Sequence, residues 1–132
     1  MRQQIHPENF YKSNRAYSPG LKVDIGDSEM IFVAGQIAKD KDGNVIAPND
    51  ITEQTEFVFQ KIEKILDVAG ASMEDVVKAV IYVTNMSDLE KISAVRNKYF
   101  ANCKPVSTLI EINKTTTEGC NVEIEAIAIR KK

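Results

Sequence analysis

Several stretches of this chain are apolar on both sides of an extended backbone, and that feature limits its fold more than any other. Along residues 76–83, Val77, Ala79, Ile81 and Val83 share one side of an extended strand, while Val76, Val80 and Tyr82 share the other, interrupted by Lys78. Along 106–112, Val106, Thr108, Ile110 and Ile112 oppose Ser107, Leu109 and Glu111. Along 122–129, Val122, Ile124, Ala126 and Ala128 oppose Glu123, Glu125, Ile127 and Ile129. Side chains alternate along a strand, so strands apolar on both sides belong to a sheet covered on both faces. The rest of the chain offers two helices, enough to cover one face. The uncovered face would be an apolar patch larger than monomers usually carry, and packing against further copies of the same chain is the expected solution.

The two helices are signalled by spacing and caps. Asp50 stands three residues before Glu53, as a capping box requires, and Val58, Ile62, Ile65, Leu66 and Ala69 then make one apolar stripe. Gly70 is placed to end that helix in the left-handed conformation. The second helix is predicted to begin at Ser87, with Glu90 three residues on, and to bury Leu89, Ile92, Val95, Tyr99 and Phe100 before Pro105. Two more strands are predicted, near 17–23 and over 30–37, and residues 1–16 read as irregular. The order is β-β-α-β-α-β-β, an α+β class in which two crossover helices pack on one face of a mixed sheet. No linker or repeat interrupts residues 1–132, which read as one domain of ordinary size.

The bulk numbers exclude several functions. Seventeen basic and 19 acidic residues leave a net charge of -2, which does not favour nucleic acid or an anionic membrane surface. Residues 1–6 are polar, and no apolar run approaches the ~20 residues that span a bilayer, so a cytoplasmic location is expected. One histidine and two cysteines do not suggest a metal site. No phosphate loop, dinucleotide fingerprint or hydrolase triad is present, and no cofactor is expected. His6 reads as solvent-exposed, and Cys103 and Cys120 as free thiols with a packing role.

Five motifs then occur in order: 15–20 (RAYSPG), 32–37 (FVAGQI), 69–78 (AGASMEDVVK), 105–108 (PVST) and 122–128 (VEIEAIA). Together they resemble the RidA/YjgF family, the reactive intermediate deaminases also called the L-PSP endoribonuclease-like family, over about residues 13–130. The resemblance implies a chorismate-mutase-like fold, a homotrimer with a central barrel, and small-molecule clefts between subunits. It also implies hydrolysis of 2-imino and enamine acids to 2-keto acids and ammonia.

Three residues match the family's site: Tyr17 the cleft tyrosine, Gly35 the glycine of the second-strand motif, and Glu123 the last-strand glutamate that positions water. The match then breaks. Deaminating members carry an arginine that grips the substrate carboxylate as a bidentate pair, and here that position is Ser107. Ser93 and Arg96 stand where the deaminases usually show Asn and Tyr. Arg15 precedes Ala16-Tyr17 in place of Gly-Pro before the tyrosine. A neutral hydroxyl cannot replace a guanidinium fork, so the resemblance places the chain in a subgroup lacking that arginine, with weak or absent activity on standard 2-imino acids. The expected site is Glu123 as the catalytic residue, with Tyr17, Gly35, Ser107, Ser93, Arg96 and Arg15 around the ligand and Arg15 or Arg96 as a substitute cation. The alternative is a metabolite-binding or regulatory trimer without turnover.

Overall fold

The computed structural model describes residues 1–132. Six strands, β1 (Arg2–Ile5), β2 (Gly20–Ile25), β3 (Ser28–Ile37), β4 (Val76–Val83), β5 (Val106–Glu111) and β6 (Val122–Lys131), and two helices, α1 (Ile51–Val68) and α2 (Leu89–Tyr99), make up the regular structure. The strands form one sheet in the order β1-β2-β3-β6-β4-β5. Only β4 and β5 run parallel, joined by the α2 crossover; α1 carries the chain from β3 over β6 to β4. This is the α+β architecture expected, with one strand more.

The extra strand corrects the reading of residues 1–16 as irregular. Arg2–Ile5 pairs antiparallel with β2 and places Ile5 opposite Gly20, where it is buried under α1. Four residues with a single apolar member leave no periodicity to detect. The next strand begins at Gly20, so Tyr17 lies in the loop before it.

α1 follows its local signals closely. The Asp50 carboxylate accepts the Glu53 amide at 3.1 Å. At the other end Gly70 has φ +82° and Ala71 N–H donates to Leu66 O at 2.8 Å. Together with the Gly70 N–H on Asp67 O this is a Schellman ending, which needs the left-handed glycine. All five residues of the predicted stripe are buried, together with Phe59 and Gln54. Phe59 stacks on Tyr99 at 4.7 Å and meets Phe100 edge-on at 5.2 Å, which fixes α2 against α1. Gln54 is a buried polar side chain with every group used. Its Nε2 donates to Ile46 O and Gly119 O, and its Oε1 accepts from the Asn121 amide, so α1 anchors the loop between β5 and β6.

The start of α2 differs from the expectation. The helix is entered through a short 3-10 turn at Met86–Asp88, which Asn85 caps by accepting the Ser87 amide at 3.0 Å; at α2 itself the N-cap position is Asp88, with no side-chain cap bond. Leu89 therefore leads the helix at the surface instead of joining its buried stripe.

The two faces of the sheet are unequal. Ile31, Val33, Ala79, Ile81, Val83, Val122, Ile124, Ala126 and Ala128 face the helices in a core cluster of 22 residues. Val76 joins them and Val77 does not: a bulge between Val76 and Lys78 reverses the assignment made from strict alternation, leaving Val76 2% and Val77 42% exposed. No helix covers the opposite face. There Phe32, Val77, Ile110 and Ile129 are exposed, and Val106 is 68% exposed.

Candidate functional site

A second bulge builds the one deep cleft that gathers sequence-predicted residues. In β3, Val33 pairs with Ala126 and Gln36 with Ile124, so Ala34 and Gly35 together oppose the single residue Glu125 of β6. Glu123, two residues away on the same face of β6, turns its carboxylate against the bulged backbone. A Cβ added to Gly35 would lie 2.1 Å from Glu123 Oε2 and 2.9 Å from its carboxyl carbon, so only glycine leaves room for this carboxylate.

Glu123 projects into a cleft of about 590 Å³ that Arg15, Tyr17, Gly35, Lys39 and Lys61 also line. Thr116 and Thr117 reach it from the β5–β6 loop that Gln54 holds in place. Burial raises the Glu123 carboxyl above the ordinary range, and the like charge of Glu125 adds to the effect. Glu125 itself accepts the Tyr82 hydroxyl at 2.5 Å. The two carboxylates are thus unlike: one is bonded to a tyrosine on the uncovered face, the other points into a cleft. A carboxyl whose hold on its proton is strengthened by burial is better suited to exchanging one with a bound molecule.

Lys61, on α1, was not among the expected site residues. Its Nζ donates to Ile37 O at 3.1 Å and Lys39 O at 3.3 Å. Burial, with the neighbouring Lys39 charge second, pushes its pKa down to about 8. The available signal was position: Lys61 falls three residues after Val58 and four before Ile65, a charge on the margin of the buried stripe.

This depression has a measurable consequence. Between about 8 and the ordinary 10.5 the unfolded chain holds the Lys61 proton more tightly than the folded one, so rising pH favours folding in that window. The gap corresponds to at most about 3 kcal/mol. Urea unfolding should show wild type gaining stability relative to Lys61→Met between pH 8 and 10.5; parallel pH profiles would refute the shift.

The structure divides the sequence-predicted residues into two groups. Arg15, Tyr17, Gly35 and Glu123 share the cleft. Tyr17 is 61% exposed, which excludes a core-packing role within this chain. Ser107, Ser93 and Arg96 do not line it. Ser107 lies on β5 opposite Ala79, on the helix-facing side, whereas Glu123 pairs with Tyr82 on the other side. Arg96 turns to the Asn97 side chain. His6 is exposed, and burial raises both cysteine thiols, so neither favours thiolate chemistry.

The fold and cleft define a small α+β protein suited to holding a compact polar molecule at the end of a bulged strand. The chain belongs to the endoribonuclease L-PSP family, whose model matches residues 8–130. It is 36% identical over 130 residues to a RutC family protein of Pyrococcus abyssi, covering 98% of each chain. It is 29% identical over 128 residues to protein DfrA of Myxococcus xanthus, covering 97% of this chain and 95% of that one. Among solved structures, the YjgF gene product of E. coli superposes with a TM-score of 0.82 at 28% identity, over 98% of this chain and 99% of that one. Rv2704 of Mycobacterium tuberculosis, described as a member of the YjgF/YER057c/UK114 family, superposes with a TM-score of 0.80 at 30% identity, over 97% and 98%. The resemblance carried by the five motifs is therefore a family relationship. No helix is long and apolar enough to cross a membrane.

Proposed function

We propose that this protein binds a small enamine or imine metabolite in the Glu123 cleft and hydrolyses it to a carbonyl compound and ammonia. The observation that carries this reading is the Glu123 carboxylate, raised by burial, free of any side-chain partner and seated against Gly35. In the reaction, the protonated imine tautomer takes up water at carbon as Glu123 accepts a proton from that water, giving a carbinolamine. Glu123 returns the proton to nitrogen, ammonia leaves, and the hydroxyl proton passes to Glu123 or solvent as C=O forms. No cofactor or metal is needed for these steps.

Ser107 argues against the standard 2-imino acids. Exchanging a charge-assisted bond for a neutral one costs about 1 kcal/mol or more, which approaches tenfold in binding. This favours membership of the subgroup lacking the carboxylate-binding arginine. It also keeps a second reading in view, a metabolite-binding or regulatory trimer without turnover. An RNA substrate is disfavoured by the net charge of -2, since phosphate binding draws on a positive surface.

Assembly is part of the proposal. The chain, read as one domain over residues 1–132, exposes 7736 Å², whereas a compact 14.7-kDa monomer exposes about 6,900 Å². The surplus is comparable to one partner's share of a standard interface, about 800 Å². Ser107, Ser93 and Arg96 lie apart from Glu123 within one copy; in the proposed homotrimer the uncovered face is buried between copies and a neighbouring copy brings these residues to the cleft. Ile110→Asp should dissociate such a trimer, read by sedimentation as a mass near 14.7 kDa. A wild-type monomer at micromolar concentration would refute the assembly. The proposed location is the cytoplasm.

The catalytic test is a coupled assay in which an amino-acid oxidase generates 2-imino acids and ammonia release is followed. Wild type should run about tenfold or more below a deaminating relative, and Ser107→Arg should recover part of the difference. A wild-type rate equal to the relative's would overturn the role given to Ser107. No acceleration of ammonia release above the spontaneous hydrolysis of 2-imino or enamine acids, with wild type or with Ser107→Arg, would favour binding without turnover.

A further inference from the structure

We propose that Arg15, Lys39 and Lys61 form an anion-binding wall that makes the cleft selective for a dicarboxylate ligand. The inference rests on reading the Glu123 cleft as the ligand site. It concerns a cationic surface distinct from the position occupied by Ser107.

The three cations come from separate elements and line one cavity: Arg15 from the loop before β2, Lys39 just after β3, and Lys61 from α1. Two are fixed by their neighbours. Lys61 Nζ gives two of its three N–H donors to the Ile37 and Lys39 carbonyls, leaving the third without a protein acceptor. Its ammonium also stands 5.5 Å from the Phe10 ring centroid. Lys39 Nζ lies 4.7 Å from the Tyr11 ring centroid. Amines held this way lose little freedom when an anion arrives, and their partial burial strengthens its attraction.

Charge sets the ligand class. Arg15, Lys39 and Lys61 face a single anionic lining residue, Glu123. With the lysines protonated, the lining carries an excess of two positive charges even when Glu123 is ionised. A monocarboxylate leaves one charge unbalanced; a dicarboxylate neutralises the wall. A cavity of about 590 Å³ has room for a five-carbon chain with a carboxylate at each end.

The bland alternative is that Lys61 only ties α1 to the end of β3. Calorimetric titration with two probes of equal chain length, 2-oxoglutarate and 2-oxopentanoate, separates the readings at pH 7 and low salt. 2-Oxoglutarate should bind at least about tenfold more tightly, an electrostatic preference that shrinks as salt rises. Lys39→Gln and Lys61→Gln should each reduce the preference to about threefold or less, and Lys61→Arg should restore most of it. Circular dichroism checks that each variant is folded; if Lys61→Gln is not, Lys39→Gln decides. Equal affinities, no detectable binding of either probe, or an unchanged preference in the folded glutamine variants overturns the inference. Ammonia release from monocarboxylate imines is scored separately: if it persists without dicarboxylate preference, the inference fails and the catalytic reading stands.

Discussion

Gly35→Ala is expected to reduce turnover in the cleft by about a hundredfold or more, the scale of losing a positioned proton carrier, while leaving the fold in place. The new methyl would fall 2.1 Å from Glu123 Oε2, far inside the contact distance of a non-bonded carbon and oxygen, so the carboxylate must swing away. The clash is with the end of a flexible side chain and not with backbone. Replacing glycine also reduces the freedom of the unfolded chain by about 0.4–1 kcal/mol, partly offsetting any strain. Urea unfolding should therefore move by no more than about 1 kcal/mol. Ammonia release measured beside that of Glu123→Gln gives the test: comparable losses are expected, and near-normal activity in Gly35→Ala would show that the carboxylate position is not needed.

The largest stability effect is expected at Phe59. Its ring is fully buried, stacked on Tyr99 and edge-on to Phe100. Phe59→Ala removes the surface that locks α2 to α1 and leaves a cavity, at a cost of about 3–5 kcal/mol. Total stability is commonly about 5–15 kcal/mol, so much of the molecule's margin disappears. Chemical unfolding at a fixed protein concentration, necessary if the chain associates, measures the loss. A change below about 1.5 kcal/mol would mean that the neighbouring aromatics collapse into the space.

What the sequence revealed, and what it concealed, follows from how local each signal is. α1 was legible because its cap, stripe and terminating glycine are all set within a few residues; the stripe and glycine are found as written, and Asp50 caps the helix without the reciprocal Glu53 bond of a full capping box. The uncovered apolar face was legible because alternation is also local. Phe59 and Gln54 were not assigned to the core: Phe59 is buried by α2, and Gln54 by a loop more than sixty residues away in the chain. The bulges escaped for a related reason. Alternation assumes an unbroken pleat, and the sequence alone does not say where a strand takes an extra residue, so Val76 and Val77 exchanged places. The site was half legible. Gly35 and Glu123 were identified by family pattern, but their contact is a matter of register. Lys61 looked like any exposed helical lysine until the end of β3 was placed beside it.

The bulge at Ala34–Gly35 has a consequence for how such a pocket can be gained or lost. Because Val33 and Gln36 keep their pairing to Ala126 and Ile124 on either side, the added residue disturbs no register beyond itself. Removing one codon there would restore an even ladder without shifting any other strand. The seat of the Glu123 carboxylate is therefore a one-residue insertion in an otherwise even ladder, which a single deletion would remove while leaving the rest of the sheet's register intact.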